Sequence, residues 1–189
     1  MYSLKSRNRK NFSPFPQGLR VEGSTGGTGT FLNGALHWLG GKYKTDGQYL
    51  SSVVSFDLST ESYVKISAPP YDGKSDSDTL HDLKLGVLGE WFCVVCTYME
   101  KHGDVWVMKE YGVTTSWVQL FSIQYPPMRS WDVFSAPLCI SDDGKVLVQF
   151  GSNLVLYDPK SLSVSEIQSF EEWSNAITFV ESLVSPDSH

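Results

Sequence analysis

Apolar and polar positions along this chain alternate in short runs that stop at glycine, asparagine or aspartate. Nowhere do they keep a capped 3.6-residue period. That is the pattern of half-buried strands. It predicts strands over Thr30–Leu32, Ala35–Leu39, Val53–Leu58 and Tyr63–Ile66, then Leu83–Leu88, Trp91–Tyr98, Val105–Lys109 and Trp117–Ile123. A last set follows at Phe134–Ile140, Lys145–Phe150, Leu154–Tyr157 and Ser163–Ile167. Asn33-Gly34, Gly89-Glu90 and Asp143-Gly144 supply the positive φ that tight hairpins need. Trp38, Phe56, Trp91, Trp106, Val148 and Leu156 are expected to be largely buried.

The sets repeat. Phe56–Ile66 (FDLSTESYVKI) aligns without gaps on Tyr157–Ile167 (YDPKSLSVSEI), and Val105–Leu120 follows the same plan with a longer turn. Strand-only repeats spaced by about 50 residues are the signature of propeller blades. The fold expected is all-β: a partial β-propeller of about three four-stranded antiparallel blades (30–70, 80–125 and 133–170) plus a remnant blade. Residues 1–26 are read as that remnant with a glycine-rich link, and 27–189 as the propeller-like domain. The segment 176–184 is one more apolar strand, which either pairs with the remnant or caps the last blade. Three blades and a remnant do not close a ring, so self-association or exposed apolar surface is expected.

Composition narrows the function. The 189 residues are 41% hydrophobic and 13% aromatic, with net charge −6, which gives no global basic field for nucleic acid or an anionic membrane. Lys5, Arg7, Arg9 and Lys10 form one basic cluster, read as solvated. The opening residues lack the apolar region of a secretory signal, and no run reaches membrane-spanning length. With 3 cysteines, a reducing compartment is expected, cytoplasmic or nuclear, and Asn11-Phe12-Ser13 is then not a glycosylation site.

Catalytic chemistry is not expected. Cys93 and Cys96 lie three apart within one strand, so their thiols point to opposite faces and cannot share an ion; they and Cys139 read as buried structural cysteines. His37 reads as packed and hydrogen-bonded, and in His81-Asp82 adjacent strand side chains diverge. No other Cys/His cluster has zinc spacing. Residues 23–29 are glycine-rich but contain no lysine and lead into a strand, not a phosphate-binding helix. No catalytic, cofactor-binding or metal-binding residue is assigned.

Binding is the better expectation, and the meander says where. Turns joining strands 1–2 and 3–4 of a blade share one end; the 2–3 turn and the inter-blade link share the other, where the longer loops fall. Those loops carry Tyr43, Lys44, Tyr49, Tyr71, Lys74, His102, Tyr125, Met128, Arg129 and Trp131, residue types that often dominate interfaces. The competing reading is that Tyr71 and Trp131 pack between blades. Changes at Asn33 or Glu90, at the opposite end, are expected to leave such binding intact. A second class is a carbohydrate-binding propeller with Tyr43, Tyr49, Tyr98 and Trp131 as stacking platforms, and a third is a truncated product without function.

Several phrases resemble the plant F-box-associated domain: Phe31–Leu39 (FLNGALHWL), Ser55–Leu58 (SFDL), Val105–Gly112 (VWVMKEYG) with Ser116-Trp117, and Val180–Val184 (VESLV). The resemblance covers most of the chain in the family's order. It implies the target-recruiting half of an SCF-type ubiquitin ligase, whose partner is a protein substrate. In that family the F-box, which these residues do not contain, docks a Skp-type adaptor, so this chain alone is expected not to bind the adaptor. The chain has Arg9 where the family has a tryptophan.

Overall fold

A computed structural model describes residues 15–17, 19–21, 29–43, 49–71, 80–98, 102–124, 137–169 and 176, with the backbone alone at 20–21, 42–43, 49–50 and 80–81. The first sheet holds β1 (Arg20–Val21), β2 (Thr30–Leu32), β3 (Ala35–Tyr43), β4 (Tyr49–Asp57) and β5 (Ser62–Ser67). The second holds β6 (Leu80–Leu88), β7 (Trp91–Tyr98), β8 (His102–Met108) and β9 (Trp117–Gln124). The third holds β10 (Cys139–Ile140), β11 (Val146–Phe150), β12 (Asn153–Asp158) and β13 (Ser163–Ser169). From β2 onward each sheet is an antiparallel meander in chain order. Among the described residues the sole helical element is a 3₁₀ turn at Thr114–Ser116. The expected all-β architecture of consecutive four-stranded blades is therefore present.

β3, β4, β6 and β8 run further than the sequence pattern predicts, so Tyr43, Tyr49 and His102 lie in strands and not in loops, and two edge elements differ as well. β1 pairs with Gly40 and Gly41 of β3 beyond the end of β2, so two short strands share one edge of the first sheet. β10 is short because Pro137 has no N–H for a ladder, and Leu138 makes a single bond, N–H to the Leu147 carbonyl, at 2.9 Å. The segment 176–184, except Ala176, lies outside the described residues.

The turns explain the repeat. Between β4 and β5, Asp57 Oδ1 accepts from the amides of Ser59 and Thr60, both at 2.8 Å, and Glu61 closes the loop at φ 54°. Between β12 and β13, Asp158 Oδ1 accepts from Lys160 and Ser161, and Leu162 closes at φ 55°. An aspartate that satisfies two turn amides, then a left-handed residue, is one four-residue hairpin loop written twice. These bonds stabilise the ionised carboxyl: the Ser59 hydroxyl first, then the amides, hold Asp57 down at about 2. The β2–β3 turn has positive φ at both Asn33 and Gly34, the twist-matched hairpin.

Strand alternation divides the core into two layers. On β7, Phe92, Val94, Cys96 and Tyr98 face the first sheet and pack with Leu39, Val53 and Ile66. Cys93 and Val95 face the third sheet and pack with Val146, Val148 and Tyr157. The middle sheet is buried on both sides, so β7 is apolar almost throughout, and its two cysteines do lie on opposite faces. Burial pushes the Cys93 thiol up to about 12.

The outer faces are less covered. Phe56 and Val148 are buried as expected, whereas Trp38, Trp91, Trp106 and Leu156 are only half-buried. Trp38 and Leu156 point away from the middle sheet. Cys139 corrects its expected burial: it is exposed, because its register row (Cys139, Leu147, Leu156) forms the far face of the third sheet. On that face Gln149 is buried and accepts the Ala176 amide at 2.8 Å. At the other extreme, Gly29 lies against the Trp38 indole, where a Cβ would come within 3.0 Å of the ring.

Candidate interaction surfaces at the two ends of the blades

Polar side chains tie the blades together. His37 on β3 is wholly buried under the β8–β9 loop. Its Nδ1 lies 3.0 Å from the Thr30 carbonyl, which can only accept, so Nδ1 carries the proton. Nε2 then accepts from the Tyr111 hydroxyl at 2.7 Å. Burial lowers the His37 pKa, and the Thr30 bond opposes that shift in part. Trp117 Nε1–H donates to the Ser67 carbonyl at 3.0 Å, and Tyr157 O–H to the Ser122 carbonyl at 2.9 Å. Each aromatic tip reaches the outer strand of the preceding sheet. The phrases NGALHW and KEYG…SW thus meet each other in space: His37 with Tyr111, and Phe92 against both His37 and Trp117. Their role is to dock blade on blade.

At the long-loop end, the structure places four of the ten candidate residues. Tyr43 and Tyr49 are register partners where β3 meets β4, so their backbones face each other at the rim. Tyr71 is half-buried against the core between the first two sheets. His102 is half-buried, stacks on Tyr98 with centroids 4.6 Å apart, and lies 3.7 Å from Asp104 Oδ1. Lys44, Lys74, Tyr125, Met128, Arg129 and Trp131 lie outside the described residues. Tyr98 is corrected as a sugar-stacking platform: it is 3% exposed, its ring enclosed in the core between the sheets.

The turn end carries a surface that the sequence did not single out. Trp91 and Lys109 form a cation–π pair, Nζ 3.2 Å from the ring centroid, at a groove that Asn33, Glu90 and Tyr111 also line. Among the described residues no group of three His, Cys, Asp or Glu is placed to hold a metal, and no helix is long and apolar enough to cross a membrane.

Stacked antiparallel meanders tied through aromatic tips define a propeller-type module. Residues 1–186 match the F-box associated beta propeller domain, and the chain belongs to that family. It is 29% identical to an F-box/kelch-repeat protein of Arabidopsis thaliana over 99% of this chain and 48% of that protein. It is 31% identical to the F-box protein CPR1 of the same plant over 84% of this chain and 38% of that protein. A third Arabidopsis F-box protein is 30% identical over 68% of the chain and 34% of its own length. The chain thus spans about half or less of the relatives it matches.

Proposed function

We propose that this chain is a target-recognition module of the F-box protein type: it holds a protein substrate for an SCF-type ubiquitin ligase and performs no catalysis of its own. The observation that carries the proposal is the family match over residues 1–186, borne by a stack of blades whose two long inter-blade connections, 68–79 and 125–138, fall at the end opposite the tight β2–β3 and β6–β7 turns. Loops on a rigid scaffold are favoured for recognition because the scaffold has already met the ordering cost. Tyr43 and Tyr49 sit at that rim, and Lys44, Lys74, Tyr125, Met128, Arg129 and Trp131 belong to the same connections, with His102 and Tyr71 at their base. The partner is a protein, neither nucleic acid nor membrane, and the module works in the cytoplasm or nucleus.

Adaptor docking belongs to the F-box and not to these residues. Size-exclusion chromatography of the purified chain with a Skp-type adaptor should show two separate species. The same chain joined behind an F-box should co-elute with the adaptor. Direct, stable binding of the adaptor to the chain itself would overturn this division of labour.

A further inference from the structure

We infer that the turn end of the first two blades is a second interaction surface, built for a basic peptide segment carrying an aliphatic or aromatic anchor. It is distinct from the long-loop end and stands independently of that reading.

The β8–β9 connection is exposed from Lys109 to Thr115, yet it is tightly built. The Ser116 hydroxyl accepts the Glu110 amide at 3.0 Å and lies 2.7 Å from the Val113 carbonyl. The Gly112 amide donates to Met108 Sδ, and Tyr111 is tethered to buried His37. This scaffolding leaves Tyr111, which lines the groove, 40% exposed and tethered in place. A side chain ordered before binding loses little entropy on contact, which favours it as an anchor site. The groove has a volume of about 310 Å³, enough for one or two side chains.

Charge selects the occupant. The connecting loops of these two blades, with Asp57 at their edge, hold Asp57, Glu61, Glu90 and Glu110 against a single lysine, Lys109. Lys109 is already drawn over the Trp91 ring. The Tyr111 hydroxyl is pushed up chiefly by burial, with the Asp57 carboxylate adding to the rise, so that charge reaches the groove wall. Glu90 in the groove lining, Asp57 acting on Tyr111, and Glu61 and Glu110 in loops at the same end together outweigh Lys109. That excess is complementary to a segment in which lysine or arginine flanks a leucine or phenylalanine.

The test uses the whole chain and two labelled probes, acetyl-Arg-Leu-Arg-Phe-Arg-amide and its counterpart with glutamate for arginine. Fluorescence anisotropy at about 50 mM salt keeps the electrostatic term visible. The basic probe should bind saturably and the acidic probe should not. Glu90→Lys with Glu110→Lys should weaken binding by about tenfold, each reversal acting at one exposed charge. Tyr111→Ser should weaken it by about threefold through lost apolar contact. Asp142→Lys with Glu166→Lys, an equal charge change on the third blade, should leave it unchanged, and circular dichroism should show every variant folded. Equal weakening by the two double variants would mean diffuse attraction to an acidic protein and would overturn the inference. So would equal binding of both probes, or no binding of the basic one.

Discussion

His37 is a buried neutral base between two blades, and its protonation should weaken the fold in a defined pH window. The ring is wholly buried, donates from Nδ1 to Thr30 and accepts at Nε2 from Tyr111, with Phe92 against its side. The Tyr111 oxygen can turn to accept, so the cost of the imidazolium is chiefly desolvation. The folded pKa therefore lies below 6.5 and the unfolded pKa near it. Between those values the unfolded chain binds more protons, so stability falls as pH falls, by about 1.4 kcal/mol per pH unit and at most about 2 kcal/mol between pH 6.5 and 5. The turn carboxylates act in a separate window. Asp57 and Asp143 are held near 2 against 3.8, so their contribution is present above 3.8 and is lost only below it. Urea unfolding of wild type and His37→Gln between about pH 7.5 and about pH 5 reads the difference directly. The glutamine amide meets both partners but does not titrate in this range, so the variant should lose the acid-side decline. Parallel profiles for the two proteins, or a wild type that gains stability on acidification, would refute the reasoning.

Tyr157→Phe removes only the hydroxyl bonded to the Ser122 carbonyl and keeps the ring against Phe121, so chemical unfolding should show a loss of about 1 kcal/mol. An unchanged midpoint would remove that tie between the second and third blades. Iodoacetamide followed by mass spectrometry should label Cys139 in the native protein, and Cys93 and Cys96 only in denaturant; rapid native labelling of the latter two would contradict the two-layer core. β13 is exposed throughout, with Val164 at 43% and Ile167 at 55%, so sedimentation velocity should show concentration-dependent association that Ile167→Lys reduces. A monodisperse monomer at all concentrations would contradict it.

What the sequence disclosed was local chemistry. The FDLSTES and YDPKSLS turns were readable because an aspartate cap and a left-handed residue act within four positions. The two faces of β7 were readable because strand alternation needs only period 2. Cys139 was misread because apolarity gives no account of which face has a neighbouring sheet. Tyr98 as a stacking platform was misread too: its alternation with Val94 and Cys96 on the same strand already put it in the core. The His37–Tyr111 bond joins residues 74 apart, and no spacing rule anticipates a contact that only blade stacking creates. The Trp91–Lys109 groove was hidden for the same reason.

The central claim is that this module recognises a protein through its long-loop end. The direct measurement is the affinity of a purified target, first captured from plant extract, for wild type and for Tyr43→Ala and Arg129→Ala. Each change should weaken binding by at least ~2 kcal/mol, roughly thirtyfold, with an unchanged melting temperature. Full affinity in both variants, or ligands found only on a glycan array and none among proteins, would contradict the account.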